Sequence, residues 1–146
     1  MAEKLILTDC DGVLLDWESA FEDWMAEHGY TKKVKATYDI STTYGIEKSE
    51  GKRLVREFNE SAWMGFLPVF RDARSGVARL VEAGYKFIVI TSLSLDKKAQ
   101  MLRASNLKNV FGRDVFEDIV CLDTGADKDE ALAPYEGRNL WWIEDK

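Results

Sequence analysis

A chain of 146 residues, 46% hydrophobic and 32% charged, has the profile of one globular domain and is too short for two independent cores. Its net charge of −6 excludes a large nucleic-acid surface, which would need an excess of Lys and Arg, but leaves a small phosphorylated ligand open. No apolar stretch reaches the ~18 residues of a membrane span and the N-terminus carries no signal-peptide pattern, so a cytoplasmic protein without membrane partners is expected.

The run Lys4 to Thr8 is apolar and too short for a helix, as a buried parallel strand would be. It ends in Asp9-Cys10-Asp11-Gly12-Val13. Cys10 and Cys121 both adjoin strand-like runs and read as reduced core residues, not as a disulfide or metal framework. From Asp16 to about residue 70 no strand-like run occurs. Trp17, Phe21, Trp24 and Met25 form one helical stripe, with Asp16 as N-cap and Gly29 as terminator. Leu54, Val55 and Phe58 mark a second helix, and Tyr38, Tyr44, Trp63 and Phe66 lie in the segments around it. Lone His28 is expected to meet the carbonyls of the first helix end, and Lys32, Lys33 and Lys35 to form a solvated face.

Beyond residue 70, strands and helices alternate. Ala73, Val77, Leu80 and Val81 follow helical spacing up to a stop at Gly84, and the run 87–91 reads as a second strand. Ser94 is placed as the N-cap of a helix carrying Leu95, Ala99 and Leu102. Runs 118–122 and 139–143 give the third and fourth strands. The order predicts a doubly wound parallel α/β sheet built from residues 1–15 and 71–146, with residues 16–70 inserted after the first strand as a small helical cap. Such sheets bind ligands at the carboxyl ends of their strands. There the sequence places Asp9 and Asp11, Thr91 and Ser92, Asp123 and Thr124 with Lys128 shortly after, and Glu144 and Asp145.

Two carboxylates two residues apart at a strand end point the same way and can divide labour, one attacking while the other exchanges protons. Gly12 allows a close backbone turn around an anion. Alone, the pair is also compatible with a solvated turn or a glycosyltransferase metal motif. An EF-hand is excluded, because Gly12 falls at loop position four instead of six and Ala20 stands where Glu is needed.

Asp-x-Asp-Gly-Val after an N-terminal strand resembles motif I of the haloacid dehalogenase-like (HAD) hydrolases, in the form with a second Asp that marks the phosphatases. Thr91 matches motif II, Lys128 in Gly-Ala-Asp-Lys matches motif III, and Glu144-Asp145 matches the acidic pair of motif IV. The resemblance implies a phosphomonoester hydrolase. Asp9 would be nucleophile, Asp11 acid and base, Thr91 (with Ser92) a phosphate contact, and Lys128 the neutralising cation. Mg²⁺ would be held by Asp9, the main-chain carbonyl of Asp11, and Asp145 with Glu144 beside it. Within the superfamily, Asp9 to Trp17 and Leu67 to Ala73 are similar to the 5'(3')-deoxyribonucleotidases. That implies a nucleoside monophosphate whose base meets cap aromatics such as Trp17, Tyr44 and Trp63. A sugar-phosphate phosphatase, a phosphomutase, or a non-catalytic or truncated phospho-ligand module are the alternatives. The superfamily core continues past motif IV, so a chain ending at Lys146 is expected to be incomplete at its C-terminus.

Overall fold

Four parallel strands position everything else in the computed structural model, which describes residues 3–35 and 39–145. Strand β1 (Leu5–Thr8) lies between β2 (Lys86–Ser92) and β4 (Trp141–Ile143), and β3 (Phe116–Leu122) flanks β2, giving the order β3-β2-β1-β4. Leu5 to Thr8 pair with Lys86 to Val89 on one side, and Ile6 to Thr8 pair with Trp141 to Ile143 on the other. All four residues of β1 are buried, as expected of a central parallel strand. The predicted strands are therefore present, with β2 and β3 slightly longer and β4 shorter than the apolar runs.

The two faces of the sheet are covered unequally. Ile6, Phe87 and Val89 face a large cluster that takes in Val77 of helix α4 (Arg71–Glu82) and Ala99 and Leu107 of helix α5 (Lys97–Phe111). Leu5, Leu7, Ile88 and Ile90 face a smaller one, covered by Ala131 and Leu132 of helix α6 (Asp129–Leu132) and by Tyr135 of the 3-10 turn after it. Crossovers from β1 to β2 to β3 thus run on one face, and the return from β3 to β4 runs on the other. The connections diverge between β1 and β4, and that switch point is where an open parallel sheet offers a crevice.

The insertion after β1 holds helices α1 (Trp17–Glu27), α2 (Ile40–Tyr44) and α3 (Lys48–Asn59) and a 3-10 turn, Ala62–Gly65. Its two ends are tied together: the Asp16 N–H donates to Pro68 O at 2.8 Å, that of Phe70 donates to Leu14 O at 3.1 Å, and Leu15 bridges Val69. Asp16 caps α1 as predicted, accepting from the Ser19 N–H at 3.1 Å. His28 also lies where expected, its Nδ1 2.8 Å from Trp24 O and its ring stacked on the Trp24 indole. The five-residue α2 has no counterpart in the sequence reading, being too short to show periodicity.

Phe58 on α3 anchors this region. It is fully buried, with ring centroids of Phe21, Trp17, Trp24 and Trp63 at 5.3, 5.4, 5.6 and 6.1 Å. These rings belong to the same cluster as Ile6 and Val89, so the insertion shares its core with the sheet. Phe58→Ala should lower the unfolding free energy by roughly 3–5 kcal/mol in denaturant melts, since the surrounding rings cannot collapse into the space.

One predicted helix start is corrected. Asp96, not Ser94, caps α5, accepting from the Ala99 N–H at 2.9 Å. Ser94 instead donates to Glu60 Oε2 at 2.7 Å. Leu95 therefore precedes the helix and is exposed, and the buried stripe of α5 is Ala99, Arg103, Asn106 and Leu107.

Candidate active site

The chain leaves β1 at Thr8 and turns at once. The N–H groups of Val13, Leu14 and Leu15 all converge on Cys10 O, at 3.2, 2.8 and 3.1 Å, and Gly12 takes a φ of +82° that disfavours any side chain. This turn holds Asp9 and Asp11 at the switch point. Asp9 is buried, its Oδ1 accepting from the Cys10 N–H at 2.7 Å and its Oδ2 lying 3.5 Å from Lys128 Nζ. Lys128 reaches that place from the start of α6. Burial pushes the Asp9 carboxyl above its ordinary 3.8; Lys128 and the Cys10 N–H oppose this, and the charge of Asp145 adds to it.

Asp145 follows β4 and arches over Gly12, so closely that a Cβ on residue 12 would lie 2.3 Å from Asp145 Oδ2. The strand brings the two together because the Asp9 N–H donates to Ile143 O at 2.8 Å. Gly12→Ala would suffer both this clash and the left-handed backbone. It should cost at least ~1 kcal/mol of stability, read in a thermal melt, and displace the Asp145 carboxylate. Glu144 is exposed, and its carboxylate makes no ion pair among the described residues.

Asp11 faces a partner that sequence reasoning missed. Arg103, fully buried on α5, lies with Nη2 2.9 Å from Asp11 Oδ1, while Nη1 donates to Thr91 Oγ1 at 2.8 Å and Nη2 to Met64 Sδ at 3.4 Å. Burial raises the Asp11 carboxyl above its ordinary 3.8 although Arg103 opposes it. The same burial raises the Cys10 thiol, so Cys10 is a packing residue as predicted. The available signal for Arg103 was its place between Ala99 and Leu107, at i, i+4 and i+8 on one helical face.

Thr91 and Ser92 are at the end of β2, but neither hydroxyl is open to solvent in the simplest way. Thr91 is fully buried; because its oxygen accepts from Arg103, its own proton is left to be donated elsewhere. Ser92 donates to Ala126 O at 2.6 Å and so fastens the β3–α6 loop that carries Lys128. Thr124 fastens the same loop, donating to Leu93 O at 2.7 Å.

The aromatic residues expected to meet a base pack closely on neighbouring rings. Tyr44 is buried with its ring edge-on to Phe21, Trp17 stacks on Phe21 and donates from Nε1 to Asn59 Oδ1 at 2.8 Å, and Trp63 packs on Phe58. Their physical role is that of a cap core, since aromatic rings at helical spacing gain more from each other than from an open cleft. Phe66 is exposed, and Tyr38 lies outside the described residues. An open cleft of about 860 Å³ runs instead between α2, α3 and Thr124–Gly125, lined by Ile40, Val55, Lys48, Lys52, Arg53 and Arg56 among others. Arg56 spans it, 3.5 Å from Asp123 Oδ1. No helix is long and apolar enough to cross a membrane among the described residues.

Comparison with known proteins gives the following. No family model matches the chain. An uncharacterized 32.4 kDa protein from the Gp30-rIII intergenic region of Enterobacteria phage T4 is 27% identical over 123 residues, which cover 80% of this chain; the chain spans only 44% of that relative's length. Among solved structures, one assigned as a haloacid dehalogenase-like hydrolase from Bacteroides fragilis superposes with a TM-score of 0.58 at 18% identity, covering 94% of this chain and 74% of that one. One assigned as a phosphatase from Clostridium difficile gives 0.59 at 16% identity, covering 92% and 69%. The class C acid phosphatase of Bacillus anthracis, with tungstate bound, gives 0.56 at 12%, covering 98% and 51%. At such identities the likeness is one of fold: the chain has the parallel α/β fold found in haloacid dehalogenase-like hydrolases and phosphatases.

Proposed function

We propose that this chain is a Mg²⁺-dependent phosphomonoester hydrolase that works through an aspartyl-phosphate on Asp9. One observation carries the reading. A buried carboxylate, Asp9, has a lysine 3.5 Å away and a second carboxylate, Asp11, two residues on, all at the switch point of a parallel sheet. Asp9 attacks phosphorus; Lys128 offsets the negative charge gathered on the carboxylate and the phosphoryl oxygens. Asp11 gives a proton to the leaving oxygen and later takes one from the water that cleaves the acyl phosphate. Gly12 leaves the backbone bare beside the phosphate, and Thr91 and Ser92 close the β2 side.

The donor set fits a hard divalent cation. Asp145 lies over Gly12 and its like charge acts on Asp9, and the Asp11 main-chain carbonyl is the third oxygen of the reading. Asp9, Asp145 and the Asp11 carbonyl would hold Mg²⁺, with Glu144 adjacent; when bound, it supplies positive charge against the phosphoryl oxygens. Chelation should abolish phosphate release and Mg²⁺ restore it. Mg²⁺ should also raise the melting temperature of the wild type and not of Asp145→Asn, a readout independent of turnover.

For the substrate we infer a nucleoside 5'-monophosphate, deoxy forms included, on the similarity of residues 9–17 and 67–73 to the deoxyribonucleotidases. A panel of nucleotides, sugar phosphates and aryl phosphates with Mg²⁺ tests both levels. Release of phosphate from none of them contradicts the hydrolase reading. Preference for sugar phosphates removes the nucleotidase reading and leaves the chemistry.

A further inference from the structure

Arg103 is unusual for its burial, not for its place in a helix. Its guanidinium is wholly buried in the stripe of α5 that otherwise packs Ala99 and Leu107, and an apolar residue of similar length would fill the space without desolvating a charge. Its Nε has no hydrogen-bond partner among the described residues. What the side chain does have is a two-pronged reach into the site, with Nη1 on Thr91 Oγ1 and Nη2 on Asp11 Oδ1. Asp11 Oδ1 is itself inaccessible, and its 2.9 Å contact with Nη2 is an ion pair without hydrogen-bond geometry; the side chain as a whole retains 27% exposure, so Oδ2 is the oxygen left for chemistry.

We propose that Arg103 is a positioning residue: it grips Asp11 through Oδ1 and so aims Oδ2 at the leaving-group oxygen, while orienting the Thr91 hydroxyl from behind. This rests on the hydrolase reading above. In the step concerned, an Asp9 oxygen bonds to phosphorus and the bond to the leaving oxygen breaks. The electron pair passes to that oxygen, and the proton on Asp11 Oδ2 goes with it. Loss of the grip would leave Asp9 and Lys128 in place; it would impair proton delivery most and the phosphate contact of Thr91 to a smaller extent.

The test is a leaving-group series. An aryl phosphate such as p-nitrophenyl phosphate departs without a proton, whereas an alkyl phosphate needs one. With Arg103→Met, kcat/KM should fall by about 10²–10³ on alkyl phosphates and by less than about tenfold on p-nitrophenyl phosphate. Arg103→Lys, which keeps the charge and loses the fork, should show the same split at smaller size and carries the comparison should the Met variant not fold. Equal losses on both series, in variants whose circular dichroism is unchanged, would reduce Arg103 to a structural part and overturn the proposal. Wild type inactive on both series would overturn the hydrolase reading and this one with it, an outcome distinct from an equal loss.

Discussion

Asp9→Asn is expected to abolish phosphate release, by about four orders of magnitude or more, and at the same time to make the protein more stable. The first effect follows from removing the nucleophile. The second follows from burial, which raises the Asp9 carboxyl above 3.8 because its charged form is poorly solvated. In linkage terms the folded protein holds that proton more tightly than the unfolded chain. The ionised group therefore costs stability above its raised folded value, and the cost disappears as pH falls below 3.8. In metal-free buffer near neutral pH the Asn variant should be more stable by roughly 0.5–2 kcal/mol, a range typical of relieving a strained functional site. That advantage should shrink as the buffer is acidified. An Asn variant with full activity, or one much less stable than wild type, would show that Asp9 is neither nucleophile nor strained.

Asp11→Asn should leave the attack by Asp9 in place and remove the proton delivery. Its activity on alkyl phosphates should fall by about 10²–10⁴, the usual worth of a positioned acid. Its loss in kcat/KM on p-nitrophenyl phosphate, which departs without a proton, should be less than about tenfold, and equal losses on both substrates would show that Asp11 does not deliver the proton.

What the sequence made legible is tied to the strands. Short apolar runs ending in Asp9, Thr91 and Glu144 stand out because a period shift and a polar residue coincide, and their parallel pairing puts those ends together. Lys128 was legible as the cation following the third strand, and it does reach Asp9. Arg103 was not, because a lone arginine in a helix looks like any solvated one until the helix register is known. Its spacing of four from both Ala99 and Leu107 puts it on the buried face. The cap aromatics are a related case. Trp17, Tyr44 and Trp63 are ring-rich in the way a base pocket is, but rings that can reach Phe21 and Phe58 pack on them first. Ser92 shows a third case, where a hydroxyl at the right strand end is taken up by a loop carbonyl.

In the proposed reaction phosphate passes through a covalent bond to Asp9. The most direct measurement is to quench a Mg²⁺ reaction on p-nitrophenyl phosphate with borohydride, which reduces an acyl phosphate to the alcohol, and to locate the product by peptide mass spectrometry. Homoserine at position 9, absent without substrate, is the result expected. Phosphate release with no reduction at position 9, or with reduction at another aspartate, would contradict the account.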